Sequence, residues 1–333
     1  MVEVGLNMVI TLCRRCINVH HSWFLIRKSI RHITGYAKQA FRVFPAILVA
    51  ALPLSAHPGS GIAVDRQGQV YFVHTGVGVF KIDHAGRLVR EEGPGYHFMT
   101  IDREGRFARQ RWPSFPDGEI RAVGGKLLLA SSFPLTVGQD GALYYPEATG
   151  DGQVHMMRLT PSGKPTSFAI LPTAMEIGPE GKPLRARWIH GLAVGRDGTL
   201  YYSEKYAVRR ITPDGSVSPV ADNVAVPDCV RPPLATDDRH GPSLRGLDVA
   251  DDGMIYVAAS GCSAVLKITP AGAISVVLQS SDAWSPTGVD VAGDGLYVLE
   301  FRHIEVERAK DWLPRVRKLS RDGTVTVVAT VNH

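Results

Sequence analysis

The chain has 333 residues, of which 44% are hydrophobic and 21% charged, and this composition excludes intrinsic disorder. The net charge of +5 is concentrated in residues 1–56, where seven Lys and Arg accompany one acid and give +6; the remaining 30 basic and 31 acidic residues give −1. Because the main body of the chain is almost neutral, nucleic acid is excluded as a partner. The 34 glycines and 22 prolines predict many short elements joined by tight turns.

Residues 1–56 have the organisation of an export leader. A basic segment precedes the apolar run VFPAILVAALPL (43–54), which small residues at Ser55 and Ala56 follow. The run is shorter than the ~20 residues that span a bilayer. We expect cleavage after Ala56, export to the periplasm or cell exterior, and a mature protein of residues 57–333 without a transmembrane span. An uncleaved N-terminal anchor or a disordered tail is the alternative.

The four cysteines divide between the leader and the body of the chain. Cys13 and Cys16 form a CxxC without a second ligand pair at zinc-site spacing, so no metal site is predicted there. Cys229 and Cys262 remain after export, and a pair of cysteines in an oxidising compartment predicts a disulfide. Two buried free thiols are the alternative.

From residue 57 onward the chain repeats one hairpin pattern. Two apolar residues bracket a small or polar one, an Asp/Gly turn follows, and a second strand rich in Tyr and Val comes next. The six copies are GIAVDRQGQVYFVH (61–74), FMTIDREGRFARQ (98–110), PLTVGQDGALYYPE (134–147), GLAVGRDGTLYYSE (191–204), GLDVADDGMIYVAA (246–259) and GVDVAGDGLYVLE (288–300). The positive φ of the tight turns is assigned to their glycines, Gly68, Gly105, Gly141, Gly198, Gly253 and Gly295.

Third and fourth strands follow five of the six hairpins, while the second copy is degenerate around residues 106–131. Six units of four antiparallel strands predict an all-β fold, a six-bladed β-propeller. A two-sheet sandwich would explain the hairpins but not six homologous four-stranded units. The last unit contains four strands of its own, near 288–292, 295–300, 314–319 and 324–330. We therefore expect the ring to close by packing of blade six against blade one, without a swapped strand.

The segment SPTGVDVAGDGLYVLE (285–300) resembles the NHL repeat. Residues 59–331 as a whole resemble the six-bladed superfamily that includes gluconolactonase and senescence marker protein. In that family a Glu, an Asn and an Asp hold a divalent metal that polarises a lactone carbonyl. The corresponding positions here are Ser60, His190 and Arg245. Because no carboxylate is retained and a permanent cation replaces the Asp, no cofactor is firmly implied and a divalent metal is disfavoured.

Propeller geometry brings the residues that enter the six innermost strands together around the axis. The residues of this predicted ligand-binding ring are Ser60, His97, Phe133, His190, Arg245 and Thr287. The planar five-donor fork of Arg245 suits a carboxylate or phosphate, which predicts a small anionic or polar ligand, or a protein partner segment. If the protein is an enzyme, His190 is the general base and Arg245 stabilises negative charge. A purely structural alternative has Arg245 paired with Asp248 or Asp290 as a plug of the channel.

IHGLAVGRDGTLYYSE (189–204) is similar to the repeat of streptogramin lyases, although the His-Gly pair occurs in only one blade. In those lyases, which have seven blades, a channel His acts as general base beside a metal held by His and Glu. His190 and Glu204 match that repeat by position, so the resemblance implies these roles for them. Lyase activity and hydrolysis of a lactone or ester are therefore the enzymatic alternatives to a binding protein. Serine-hydrolase and nucleotide-binding motifs are absent from the sequence.

Two further groups of residues are candidates for function. Glu147, Glu204 and Glu300 end second strands, where they could bind a metal, act as acid and base, or only cap neighbouring loops. Insertions at 174–187, 225–243 and 302–314 interrupt the blade period. We expect the second to overhang the channel mouth before Arg245, and the third, with Trp312, to form a short helix or a partner-binding flap.

Overall fold

The computed structural model describes residues 58–332, apart from 92–94, 108–119, 124–127, 150–152, 173–174, 178–182, 187–188, 231–240, 282, 294 and 303–311. The leader predicted for residues 1–56 lies outside this part. The described elements are β-strands and one 3-10 turn, Ser260–Cys262. In the described part of the chain no helix is long and apolar enough to cross a membrane.

Five four-stranded antiparallel sheets form blades 1, 3, 4, 5 and 6, with the strands of each in sequence order. Blade 1 consists of β1 (Ile62–Val64), β2 (Val70–His74), β3 (Gly78–Ile82) and β4 (Leu88–Glu91). Blade 2 consists of β5 (Phe98–Ile101), β6 (Ile120–Val123) and β7 (Leu128–Ser131). Blade 3 consists of β8 (Thr136–Val137), β9 (Leu143–Ala148), β10 (Val154–Leu159) and β11 (Thr166–Leu171).

A separate two-stranded hairpin, β12 (Met175–Ile177) and β13 (Pro183–Ala186), forms within the predicted insertion 174–187. Blade 4 consists of β14 (Gly191–Val194), β15 (Leu200–Glu204), β16 (Ala207–Ile211) and β17 (Val217–Ala221). Blade 5 consists of β18 (Leu244–Val249), β19 (Ile255–Ala259), β20 (Ala264–Ile268) and β21 (Ile274–Gln279). Blade 6 consists of β22 (Trp284–Ala292), β23 (Gly295–Arg302), β24 (Leu313–Ser320) and β25 (Val325–Thr330).

Blade 2 departs from the predicted hairpin over 98–110. The strand that pairs with β5 is β7, and β6 pairs with the far side of β7, so the described part of this blade is a three-stranded sheet. Most of the second strand predicted for this hairpin, residues 108–110, lies outside the described residues. Before it, the backbone N–H of Phe107 donates to the Asp102 carboxylate at 2.7 Å. The Phe107 side chain is fully buried against Ile120 and Leu129, and this burial draws the segment into the core.

The predicted turn glycines hold positive φ in five blades: Gly68, Gly105, Gly141, Gly198 and Gly253. In blade 6 the prediction of Gly295 is wrong. Strand β22 extends to Ala292, which pairs with Gly295 as the first residue of β23, and Gly293 takes the positive φ of 58°. The hairpin therefore turns within two residues.

The hydrophobic core consists of layers between neighbouring blades, as the propeller prediction requires. One cluster joins blade 4 to blade 5 and another joins blade 5 to blade 6. The closing layer packs Phe72 and Phe80 of blade 1 with Leu299, Phe301 and Trp312 of blade 6. Each of these side chains is at least nine-tenths buried, so this seam is as apolar as the seams within the chain.

Close backbone approach at the axis completes the ring. A Cβ on Gly288 of blade 6 would lie 2.2 Å from the carbonyl oxygen of Ser60, and one on Gly246 of blade 5 would lie 2.9 Å from the Gly288 Cα. The hydroxyl of Thr287 donates to the carbonyl of Gly59 at 2.7 Å. Blade 6 thus closes on blade 1 with four strands of its own, which confirms the prediction of closure without a swapped strand.

Candidate ligand-binding face

Ser60, His97, Phe133 and His190 lie one to three residues before the innermost strands of their blades, and we call this end of the propeller the entry face. Arg245 is the second residue of β18, and Thr287 is the fourth residue of β22. The opposite end, where innermost strands turn into second strands, is the hairpin face. Backbone hydrogen bonds fix several ring positions. The carbonyl of His97 accepts the N–H groups of Ser60 at 2.7 Å and Gly61 at 2.9 Å, and the N–H of His190 donates to the Ser203 carbonyl at 2.9 Å.

Arg245 lies on a β-bulge of β18. Leu244 pairs with Ala259 and Leu247 with Val257, so two residues, Arg245 and Gly246, oppose one on the partner strand. A bulge redirects a side chain away from the regular alternation of a strand. Arg245 Nη1 donates to the carbonyl oxygen of Pro58 at 3.4 Å. Pro58 precedes blade 1, and blade 6 lies between these two blades, so the guanidinium extends along the channel mouth at the entry face.

The contact of Arg245 with Pro58 is longer than a strong N–H···O hydrogen bond. It is one of the contacts that the guanidinium makes. The backbone of Arg245 is fixed more firmly, because its carbonyl accepts the hydroxyl of Ser203. Ser203 also accepts the His190 N–H, so one fully buried residue positions both His190 and Arg245.

Ser60 and Thr287 contribute mainly to ring closure. Thr287 also lies at a bulge, between the pairs Pro286–Glu300 and Gly288–Leu299, but its hydroxyl donates to Gly59 and its side chain is buried. Ser60 is buried as well. The other four residues of the ring are half-buried: His97, Phe133, His190 and Arg245.

Phe133 and His97 give this face an aromatic side. The Phe133 ring lies 5.7 Å from the ring of the buried Tyr145, and its carbonyl accepts the hydroxyl of Ser131. The His97 ring lies 6.4 Å from the ring of Phe98. In blade order the entry face therefore runs from aromatic residues in blades 2 and 3 to basic residues in blades 4 and 5.

The three glutamates that end second strands have cationic or titratable neighbours within their own blades. Glu204 accepts Arg209 Nε at 3.1 Å. Glu147 pairs across the sheet with His155, and burial raises the pKa of Glu147 although His155 lowers it. Among the described residues, no group of three His, Cys, Asp or Glu side chains is placed to hold a metal ion.

Glu300 is the most enclosed of these carboxylates. It is fully buried, accepts Arg315 Nε at 2.6 Å, and is also bonded to Arg317 and to the hydroxyl of Ser280. The Arg315 guanidinium lies 4.0 Å from the centre of the Trp284 ring. This arrangement fixes β23 and β24 to the chain that leaves blade 5, and indicates a structural role for Glu300.

Cys229 and Cys262 form a disulfide with a Cα–Cα distance of 4.8 Å, as predicted. Cys262 belongs to the 3-10 turn after β19, and the N–H of its neighbour Gly261 donates to the Pro242 carbonyl at 2.9 Å. The bond therefore ties the start of the insertion 225–243 to blade 5. The insertion then leads through Leu244 directly to Arg245.

Trp312, predicted to belong to a flap in the insertion 302–314, is instead a core residue. Its indole is 8% exposed and packs edge-to-face on Phe301 at 6.4 Å. The remainder of that insertion, residues 303–311, lies outside the described residues.

Asp248 and Asp290, which the sequence suggests as possible partners of Arg245, make a different contact in the structure. Asp248 Oδ2 accepts the N–H of Val291 at 2.7 Å, and Asp290 Oδ2 accepts the N–H of Val64 at 3.0 Å. Both bonds cross from one blade to the next, toward the hairpin face. The signal was present in the repeat, since the same position is Ala or Thr in the other four blades.

These strand pairings and the residues at the strand entries define a six-bladed β-propeller. No protein-family model and no curated protein matches the chain. Among solved structures, it is similar to virginiamycin B lyase from Staphylococcus aureus, with 16% identity, coverage of 81% of this chain and 83% of that chain, and a TM-score of 0.47.

Two other similar structures belong to the gluconolactonase-like group. One is a putative gluconolactonase, with 16% identity, coverage of 72% of this chain and 84% of that chain, and a TM-score of 0.47. The other is a calcium-binding protein, regucalcin, from Agrobacterium tumefaciens, with 13% identity, coverage of 76% and 85%, and a TM-score of 0.47. At this level of similarity no activity is transferred, and the fold assignment rests on the strand pairing of the chain itself.

Proposed function

We propose that this chain is an exported β-propeller that binds a small anionic or polar ligand, or an acidic segment of a protein partner, at its entry face. The observation that carries the proposal is the placement of Arg245 on a bulge at the channel mouth, with its backbone fixed through Ser203. A guanidinium presents a planar set of donors that matches a carboxylate or phosphate.

The neighbouring ring residues support this chemistry. Ser203 positions the backbones of both His190 and Arg245. The backbone of His97 is hydrogen-bonded to blades 1 and 2. The half-buried Phe133 offers an apolar surface beside these polar groups. A ligand with one anionic end and an apolar or ring-shaped body fits this combination best.

Hydrolysis of a lactone or ester, or a lyase reaction, is the second candidate function. The observation that favours it is the common fixation of His190 and Arg245 by Ser203. In hydrolysis, His190 would take a proton from water as it adds to the carbonyl carbon, and Arg245 would stabilise the resulting oxyanion. The oxyanion would then collapse with cleavage of the acyl C–O bond, and His190 would return its proton to the departing alkoxide. Glu204, on the strand next to His190 and paired with Arg209, would act at most as a positioning residue.

Export is part of the proposal. The Cys229–Cys262 disulfide is of the kind that persists in oxidising compartments. The leader sequence supplies the route, with a mature start near His57. Mass spectrometry of protein recovered from the export compartment tests this step, and an intact Met1 terminus there would contradict it.

A thermal-shift panel tests the binding function. It contains monocarboxylates, sugar acids, organic phosphates, lactones, aryl esters and, separately, Ca²⁺, Mg²⁺, Mn²⁺ and Zn²⁺. A ligand present at 100 times its Kd stabilises the native state by about 2.7 kcal/mol, which is readily measurable. We expect shifts with anions and none with neutral isosteres. A shift with a metal that chelator reverses would contradict the metal-free proposal, and turnover of a lactone or ester would establish the second candidate.

A further inference from the structure

The strongest feature outside the entry face is a pair of carboxylates on the two seams that flank blade 6. Asp248 of β18 reaches the Val291 amide of β22, and Asp290 of β22 reaches the Val64 amide of β1. The first bond joins blade 5 to blade 6, and the second joins blade 6 to blade 1. The second therefore crosses the seam at which the ends of the propeller meet.

In the repeat, Asp248 and Asp290 occupy the third position of the innermost strand. Blades 5 and 6 are the two blades whose sequence has a carboxylate at this position of the repeat. The other four blades carry Ala63, Thr100, Thr136 and Ala193 at this position. An alanine has no side-chain acceptor, so at those positions in blades 1 and 4 no equivalent bond is made.

The surroundings of the two carboxylates disfavour two negative charges. Burial raises the pKa of Asp248 to about 6, although the amides of Val291 and Val249 favour its ionised form. Burial and the charge of Asp248 raise the pKa of Asp290 well above its usual value, against smaller opposing effects of the Val64 amide and Arg103. Like charges in one site make the second ionisation costly.

Few other titratable groups act on this pair. Arg103, in the turn after β5, is the cation that interacts with Asp290. On the neighbouring strand of the same blade, Asp248 lies opposite Tyr256 and Asp290 lies opposite Tyr297. The adjacent innermost strands β14 and β1 contribute Ala193 and Ala63 at the matching positions.

We propose that Asp248 and Asp290 form a proton-sharing carboxyl pair that clasps the ring of blades, so that closure is tightest in mild acid and weakens as the pH rises. A protonated carboxyl still accepts the backbone N–H through its carbonyl oxygen. With at least one proton on the pair, both bonds form without repulsion. With none, two negative charges oppose each other across the blade 5–blade 6 seam.

The sign of the pH effect follows from proton linkage. A carboxyl whose pKa is raised on folding binds its proton more tightly in the native state than in the unfolded chain. Its contribution to stability is complete below the unfolded value of about 3.9 and is lost as the pH rises through the folded value. For Asp248 this loss occurs around pH 6. This pH dependence is opposite to that of carboxylates paired with a cation, such as Asp140, whose pKa is lowered and whose contribution to stability is lost as the pH falls.

Melting temperatures of the wild type, Asp290→Asn and Asp248→Asn between pH 4.5 and 8.5, at constant ionic strength, test the proposal. Asn keeps an acceptor for the backbone N–H but carries no charge. The melting temperature of each variant relative to wild type is expected to rise with pH, by roughly 2 to 4 °C over the range. Asp251→Asn is the matched control, because Asp251 is an exposed aspartate at the hairpin face that pairs with Arg196.

Variant curves that run parallel to the wild type, or a variant advantage confined to acid, would overturn the proposal. If neither variant folds, carboxyl ¹³C NMR titration of the wild-type protein decides the question. Asp248 is expected to titrate near pH 6, and Asp290 well above the usual range of an aspartate. Ionisation of every aspartate below about pH 5 would exclude a shared proton.

Discussion

The hydroxyl of Thr287 donates a 2.7 Å hydrogen bond to the carbonyl of Gly59 and so joins the last blade to the chain that enters the first. Both the bond and the Thr287 side chain are buried. A buried carbonyl that loses its donor has no water to replace it. The bond is therefore a sensitive point of ring closure.

Thr287→Val removes this donor and keeps the shape of the side chain. We expect the free energy of unfolding to fall by about 1 to 3 kcal/mol, measured by urea denaturation. Thr287→Ser should recover most of the loss because it restores the hydroxyl. Thr326→Val, at an exposed position of β25, is the control and should remain within about 0.5 kcal/mol of wild type. Equal stability of Thr287→Val and the control would show that the bond does not contribute to closure.

Glu300→Gln is expected to be strongly destabilising. It leaves the guanidinium groups of Arg315 and Arg317, both mostly buried, without their carboxylate. Removal of one partner of a buried ion pair costs about 3 to 5 kcal/mol. Glu204→Gln is the matched control, because the Glu204–Arg209 pair also joins neighbouring strands but is more exposed. A smaller loss for Glu300→Gln than for Glu204→Gln, in the same denaturation experiment, would contradict this assignment.

The disulfide is expected to stabilise the fold. Cys229 and Cys262 are 33 residues apart, so the bond closes a loop for which the chain-entropy relation gives roughly 3 to 4 kcal/mol. Cys229→Ser/Cys262→Ser should lower the free energy of unfolding by about that amount, in a background where Cys13 and Cys16 are also serine. Thiol titration under denaturing conditions provides the direct check. Two reactive thiols in unreduced Cys13→Ser/Cys16→Ser protein would show that the bond is absent.

Arg245→Gln tests the binding face with the anion found in the thermal-shift panel. If Arg245 serves binding, the affinity is expected to fall at least tenfold, about 1.4 kcal/mol, with little change in the melting temperature without ligand. Calorimetric titration measures the affinity. Arg196→Gln, in an exposed ion pair at the hairpin face, is the control. Undiminished affinity together with a large loss of stability would make Arg245 a structural residue.

His190→Gln separates binding from catalysis. If the entry face only binds a ligand, His190→Gln should change the affinity modestly, because the backbone bond of His190 to Ser203 is retained in the variant. If a lactone or ester is turned over, kcat should fall by about 10²- to 10⁴-fold with a smaller change in KM. A pH profile of kcat that keeps its base limb in His190→Gln would assign the base to another residue.

The propeller was predictable because each blade carries a local signal. The period-two pattern and the turn glycines define the hairpins, and six copies at similar spacing define the ring. The four strands predicted for blade 6 all form close to the expected positions. Blade 2 was not predictable in detail, because the burial of Phe107 outweighs the hairpin pattern around it.

The positions of the ring residues also follow from the repeat, but the different roles of these residues do not. From sequence position alone, Thr287 and Arg245 are predicted to have the same role as ligand-binding residues of the ring. In the structure one hydroxyl is consumed by ring closure, while the guanidinium extends along the mouth. This difference depends on long-range contacts. Arg245 and Pro58 are 187 positions apart in the sequence, and Thr287 and Gly59 are 228 positions apart. The inter-blade contacts of Asp248 and Asp290 were missed for the same reason.

Each complete blade is a continuous segment of the chain, since blade 6 contains its own four strands. The unit that repeats in the sequence is therefore also the unit that folds, and a gene duplication or deletion that respects a repeat boundary would add or remove one whole blade. A propeller closed by a swapped strand would instead lose parts of two blades. In this protein a change in blade number would have to re-establish the contacts of the closing seam, which include those of Gly288 and Thr287, the Asp290–Val64 bond and the apolar layer between blades 1 and 6.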